Sequence, residues 1–201
     1  MFFSRRLQRR LGATGVCILI IAMIWAIQQA VLSRLLLNHV QCNLALTFTI
    51  VWGLTFGSPL LAPSFDEIRL SSLKDVFVRQ IFSGSPTGFL VGAAFSALYA
   101  CFIPVYALSY PIVGWTAGYF CLKNFNQALI VCIPLVLLLT FMSELIMAAQ
   151  LAVLGRPDVF ENLVRISLSE AALNSIIAPC VFFPMRGWSE FVKYRELVES
   201  R

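Results

Sequence analysis

From Leu11 to Leu32 the chain runs for 22 residues without a charged side chain, and from Gln127 to Leu154 it runs for 28 with Glu144 as the single exception. An α-helix needs about 20 predominantly apolar residues to cross the roughly 30 Å hydrocarbon core of a bilayer. A chain of 201 residues with such stretches has no water-soluble core in which to hide them: 59% of its residues are hydrophobic, 12% are charged, and the mean hydropathy is +0.83. In lipid, backbone polar groups must be satisfied within the chain, and helices do this segment by segment. The sequence therefore predicts an all-α integral membrane protein forming a single transmembrane domain over 1–201, with no room for a separate soluble domain.

Six spans are expected, over 11–32, 43–61, 88–105, 107–122, 127–154 and 166–185. The basic stub "MFFSRRLQRR" before the first has the order of a signal peptide, but the apolar run is too long and lacks a small-residue cleavage site, so a retained span is expected. Gly53 and Gly57 interrupt the second span, a tight break near "IPVY" (103–106) separates the third from the fourth, and Pro134 is a possible kink in the fifth. Between the second and third spans lies a polar island, 63–86. Ser64 and Glu67 there form the S-x-x-E capping pattern, and Phe65, Ile68, Leu73, Val76, Phe77 and Ile81 recur at helical spacing. An amphipathic helix is expected, either lying on the membrane surface or packed on the bundle. The charged tail 186–201 is expected to be helical at the interface.

Charge sets the orientation. With the N-terminus inside, the inner segments hold Arg5, Arg6, Arg9, Arg10, Arg69, Lys74, Arg79, Lys123, Arg186, Lys193, Arg195 and Arg201, and the outer ones hold only Arg34, Arg156 and Arg165. Cytoplasmic flanks retain positive charge, so both termini and the island are expected in the cytoplasm. The same distribution explains the net charge of +5 without nucleic acid. The bilayer is the partner it implies.

Polar side chains inside spans are costly and mark packing contacts or sites. Gln28 lies in the outer third of the first span, Glu144 towards the outer end of the fifth, and Glu170 just inside the outer boundary of the sixth, with Asn174 one turn deeper on the same face. Three roles compete for this outer cluster: interhelical hydrogen bonding with snorkelling to the interface, contact with a partner's anchor or outer domain, and a small-molecule site opening outward. Ala22, Ala26 and Ala30 stand four residues apart on the first helix, a spacing that admits a second backbone closely, although alanine is common in spans. Pro179 is expected to bend the last helix and Pro184 to end the span before Arg186. The six cysteines, at 17, 42, 101, 121, 132 and 180, and the one histidine, His39, form no metal-ligand spacing and no disulfide framework. No catalytic residue, cofactor or metal ligand is assigned, since two dispersed carboxylates without a metal or nucleophile do not make an acid–base pair.

"GFLVGAAFSALYACFIPVYALSYPIVGWTAGYF" (88–120) and "SELIMAAQLAVLGRPDVFENLVRISLSEAALNSIIAPCVFFPMRGW" (143–188) resemble the bacterial rod shape-determining protein family MreD. Gly88, Phe89 and Gly92, then Ala107, Leu108, Ser109, Gly114, Ala117 and Gly118, fit its paired-helix pattern. Asn174, Ala178, Pro179 and Pro184 fit its last helix, and Asn43 and Leu44 fit the start of its second, with Cys42 where proline is usual. An acidic residue often ends the family's third helix, where this chain has Ser96, Ala97 and Tyr99, and the island is longer than the usual link. The resemblance implies helix-packing roles for Gly88, Gly92, Gly114, Gly118 and Pro179. It also implies a non-enzymatic scaffold of cell-wall elongation in the bacterial inner membrane, binding MreC and linked with MreB, the transpeptidase PBP2 and the polymerase RodA. The alternative is a substrate-binding S-component of an energy-coupling-factor vitamin transporter, whose six-helix bundle MreD-like proteins are thought to share and whose first helix docks its transport partner through a small-x-x-x-small face like that of Ala22, Ala26 and Ala30.

Overall fold

The structure, a computed structural model, describes residues 2–34, 36–37, 40–57, 78, 84–100, 106–121, 125–155 and 159–199. Within them are six α-helices: α1 (Phe2–Ala30), α2 (Leu44–Phe56), α3 (Pro86–Ala100), α4 (Ser109–Ala117), α5 (Phe125–Val153) and α6 (Val159–Glu199). The helical class holds, with one addition. Two short antiparallel strands, β1 (Leu36–Leu37) and β2 (Val40–Gln41), pair Leu36 with Gln41 and Leu37 with Val40 between α1 and α2. The expected amphipathic helix, its Ser64–Glu67 cap and the start of the break at 103–106 fall outside the described residues.

Three helices carry stretches long and apolar enough to cross a membrane, Gly15–Arg34, Gln127–Val153 and Leu163–Phe191. By contrast α2, with 13 residues, spans about 20 Å at 1.5 Å per residue. It is nonetheless the centre of the bundle: every residue from Ala45 to Thr55 is buried, and the helix touches α3, α4, α5 and α6. That explains its sequence, which is apolar on all sides instead of striped. Its threonines are tolerated because Thr47, Thr49 and Thr55 donate to the carbonyls of Asn43, Ala45 and Val51 at 2.8–2.9 Å. Gly53 does not interrupt the helix. It admits α4, whose Gly114 oxygen and Ala117 Cβ lie 2.5 and 2.8 Å from where a side chain would begin.

The same logic joins α3 to α4. Ser85 caps α3, accepting from the Gly88 N–H at 3.0 Å, and Pro86 occupies the first turn, where no donor is needed. A Cβ on Gly88 would run into the Gly114 carbonyl, one on Gly114 into the Gly88 carbonyl, and one on Gly92 into the Tyr110 carbonyl. Side-chain-free positions on both helices thus let the two backbones touch, the close approach that drives association in lipid.

Helices α5 and α6 form an antiparallel hairpin. Gly155, at φ 87°, ends α5 in the left-handed conformation that glycine adopts without penalty. Along α6 the buried positions Leu163, Ser167, Ala171, Asn174, Ala178, Phe182, Met185 and Ser189 recur every three or four residues, and the small ones let α5 approach. The last span and the tail are not separate elements: α6 is one helix of 41 residues with Pro179 and Pro184 inside it. The helix therefore continues through Pro184, the position at which the span is expected to end, into the helical tail. A proline removes one bond from the ladder, and the remaining bonds together with the contacts to α2 and α5 carry the helix through it. Helix α5 likewise continues through Pro134.

Helix α1 is the outlier. Ile24 and Gln28 are its buried residues among those whose side chains are described, and Ala22, Ala26 and Ala30 are exposed. Among the described residues the alanine face is left uncovered.

Replacing Gly88 or Gly114 by valine is expected to destabilise the protein by about 1–3 kcal/mol through overpacking, lowering the melting temperature in detergent micelles. Gly187→Ala meets nothing within 4 Å and is expected to melt at or slightly above the parent temperature.

Candidate functional site

The chain enters α2 through Cys42 and Asn43, and a buried helix start leaves N–H groups that must find acceptors. Asn43 supplies one itself: its Oδ1 accepts from the Leu46 N–H at 3.1 Å. Its own N–H donates to Asn174 Oδ1 on α6 at 2.7 Å, and its Nδ2 donates to the Tyr110 hydroxyl on α4 at 2.7 Å. Asn174 Oδ1 also receives the Cys42 thiol at 3.2 Å, while Asn174 Nδ2 donates to Thr140 Oγ1 on α5 at 3.3 Å. From the other side Gln28 of α1 clamps the same turn, donating to the Cys42 carbonyl at 2.9 Å and accepting from the Leu44 N–H at 2.7 Å. Thr140, Tyr110 and Asn174 are fully buried. One turn of backbone thus ties five helices together.

A second layer lies beside the first. Thr140 and Asn174 face each other across the α5–α6 hairpin, so Glu144, four residues on, and Glu170, four residues back, stand one turn further along the same antiparallel pair. Their carboxyls interact electrostatically with each other and with Tyr106, and Glu170 reaches the amides of Asn43 and Asn174. Tyr99, Tyr106 and Tyr110 make a closed triangle, with ring centroids 5.6, 5.9 and 4.9 Å apart. Glu144 is 3% exposed, and its Oε1 has no hydrogen-bond partner. Glu170 and Tyr106 are half-buried. Ser143 and Ser167 add buried hydroxyls without partners on the same two helices.

The four polar residues expected to gather do so, in two ways. Gln28 and Asn174 are structural: Gln28 bonds with both ends of its amide to the α2 entry, and Asn174 joins that entry to Thr140. Glu144 and Glu170 are paired with each other in space and with no cation among the described residues; the ion pair of Arg186 is with Glu190, at 3.1 Å. Gly88, Gly92, Gly114 and Gly118 lie at backbone crossings, and Pro179 is half-buried inside α6. Sequence reasoning missed the role of Asn43, which it placed only as a family-like helix start, and it missed the tyrosines. A usable signal was present: three of the five tyrosines stand between 99 and 110, a concentration a lipid-facing pair of spans does not need. Among the described residues no group of His, Cys, Asp and Glu is arranged to hold a metal ion.

No family model matches the chain, and no curated protein or solved structure matches it.

Asn174→Leu is expected to leave the buried Asn43 N–H without an acceptor, at a cost of about 1–3 kcal/mol. Unfolding in mixed micelles measures it, and a variant as stable as the parent excludes the bond as a determinant of the fold.

Proposed function

We propose that the protein is a non-catalytic, multi-pass scaffold of the bacterial inner membrane, similar to the MreD proteins, that holds the bitopic partner MreC and through it takes part in wall elongation with MreB, PBP2 and RodA. One observation carries the proposal: the residues on which the resemblance rests are the ones the architecture uses. Gly88, Gly92, Gly114 and Gly118 stand where α2, α3 and α4 cross or meet the Ser85 turn that opens α3, and Asn43 and Asn174 share the bond that closes the bundle. Motif positions spent on shape suit a protein whose product is an arrangement of partners.

Six spans with both termini in the cytoplasm complete the proposal. The charge asymmetry supports it, and so does the placement of Gln28, Asn43, Tyr99, Tyr106, Glu144 and Glu170 at what is then a single outer level. The exposed face of α1 offers the partner's anchor a surface: Ala22, Ala26 and Ala30 are exposed among the described residues, and small residues admit a second helix in lipid.

A transporter S-component is the second possibility. The half-open layer of Glu144, Glu170, Tyr99 and Tyr106 favours it, because a substrate-binding subunit needs polar and aromatic groups in that half of the bundle.

Extraction in mild detergent distinguishes the two. Recovery of a bitopic MreC-like protein is expected, and Ala26→Leu is expected to reduce that recovery severalfold while leaving the melting temperature unchanged. Recovery of an ATPase module or a vitamin overturns the scaffold. A reporter fused after Arg201 is expected to be active only as a cytoplasmic fusion, and periplasmic activity excludes the six-span topology.

A further inference from the structure

The carboxyls of Glu144 and Glu170 are out of place in a protein that only needs to pack. The Asn43–Asn174 junction one turn away bonds to backbone, Tyr110 and Thr140, and although Glu170 reaches its two amides, Glu144 takes no part in it. Glu144 is 3% exposed with an unpartnered oxygen, and removing a carboxylate from water without a cation is costly. No described Lys, Arg or His pairs with either group. Without a ligand such a pair sheds its charge by holding a proton; a positive group beside it would let it ionise, and no described residue supplies one.

The surroundings say which kind. Calcium and magnesium want six or more oxygens, and the described residues offer no metal-ligating cluster here. Beside the carboxyls stand instead the rings of Tyr99 and Tyr106, 5.6 Å apart at 63°, with Tyr110 closing the third side. Aromatic faces attract organic ammonium groups, and two carboxylates next to such rings supply the counter-charge. Glu170, Tyr99 and Tyr106 are each half-buried and Glu144 is buried, so the layer is reachable from its edge.

We infer that Glu144 and Glu170, flanked by Tyr99 and Tyr106, form a binding site for an organic ammonium group. The group belongs either to a free amine or to an aminolipid headgroup. The site is independent of the scaffold role: it uses α3, the turn before α4, α5 and α6, whereas the docking face proposed above is on α1.

The test uses the full chain in a non-ionic detergent, with methylammonium chloride as probe and sodium chloride at matched ionic strength as control. Thermal melting and equilibrium dialysis of labelled methylammonium are the readouts. A saturable rise in melting temperature with methylammonium but not sodium is expected, together with stoichiometric uptake. Glu144→Gln keeps the shape of the side chain and is expected to weaken binding on the order of 30-fold. Glu170→Gln serves as the second variant if the first folds poorly. A parallel arm compares nanodiscs of phosphatidylglycerol with and without phosphatidylethanolamine. Glu144-dependent protection by phosphatidylethanolamine alone assigns the site to a lipid headgroup, and protection by methylammonium assigns it to a free amine. Absence of saturable binding in both arms, equal protection by sodium, indifference to both substitutions, or protection only by a bound partner helix overturns the inference.

Discussion

The bond from the Asn43 N–H to Asn174 Oδ1 joins residues 131 positions apart, and the bundle is organised around it. A buried helix start in an apolar setting presents donors that water cannot satisfy, so each must be met by the chain itself. Asn174 meets one, Asn43's own amide oxygen meets another, and Gln28 meets a third. Because the acceptors come from α6 and α1, satisfying the start of α2 fixes which helices surround it and at what height. The apolar packing below, from Leu46 through Phe95 and Phe182, can then be non-directional. Dispersion fills the volume, while the polar turn selects the arrangement.

The same physical demand made part of the site readable in advance. Polar side chains in the middle of apolar runs have few places to go, so Gln28, Glu144, Glu170 and Asn174 were expected at one level. The hairpin of α5 and α6 brings the last three together. Asn43 was harder to see because it stands at a span boundary, where a polar residue attracts no notice. The tyrosines were harder still, since an aromatic ring near the end of a span is usual at a membrane interface. Helix positions followed apolar runs well where a glycine marks the end, as at Gly155. At Pro184 the helix runs on into the tail, because the rest of its ladder and its packing outweigh one missing donor. The two-residue strands near 36–41 are too short to leave a periodic signal.

Small residues carry two different messages in this chain. At Gly88, Gly92 and Gly114 they mark contacts made within the chain, with backbone against backbone. At Ala22, Ala26 and Ala30 the spacing is just as regular, yet the side chains are exposed. Spacing reveals that a close neighbour would fit, and says nothing of whether the neighbour belongs to the same polypeptide.

The length of α6 has a structural meaning. At 41 residues and 1.5 Å per residue it is about 62 Å long, roughly twice the hydrocarbon thickness. Such a helix is held at Asn174 by the polar turn of α2 and stays buried at Ala178, Phe182, Met185 and Ser189, so its packing continues for about 22 Å past that turn. The rod thereby carries one continuous seam from the polar layer to Ser189, and two prolines sit inside that seam without dividing it.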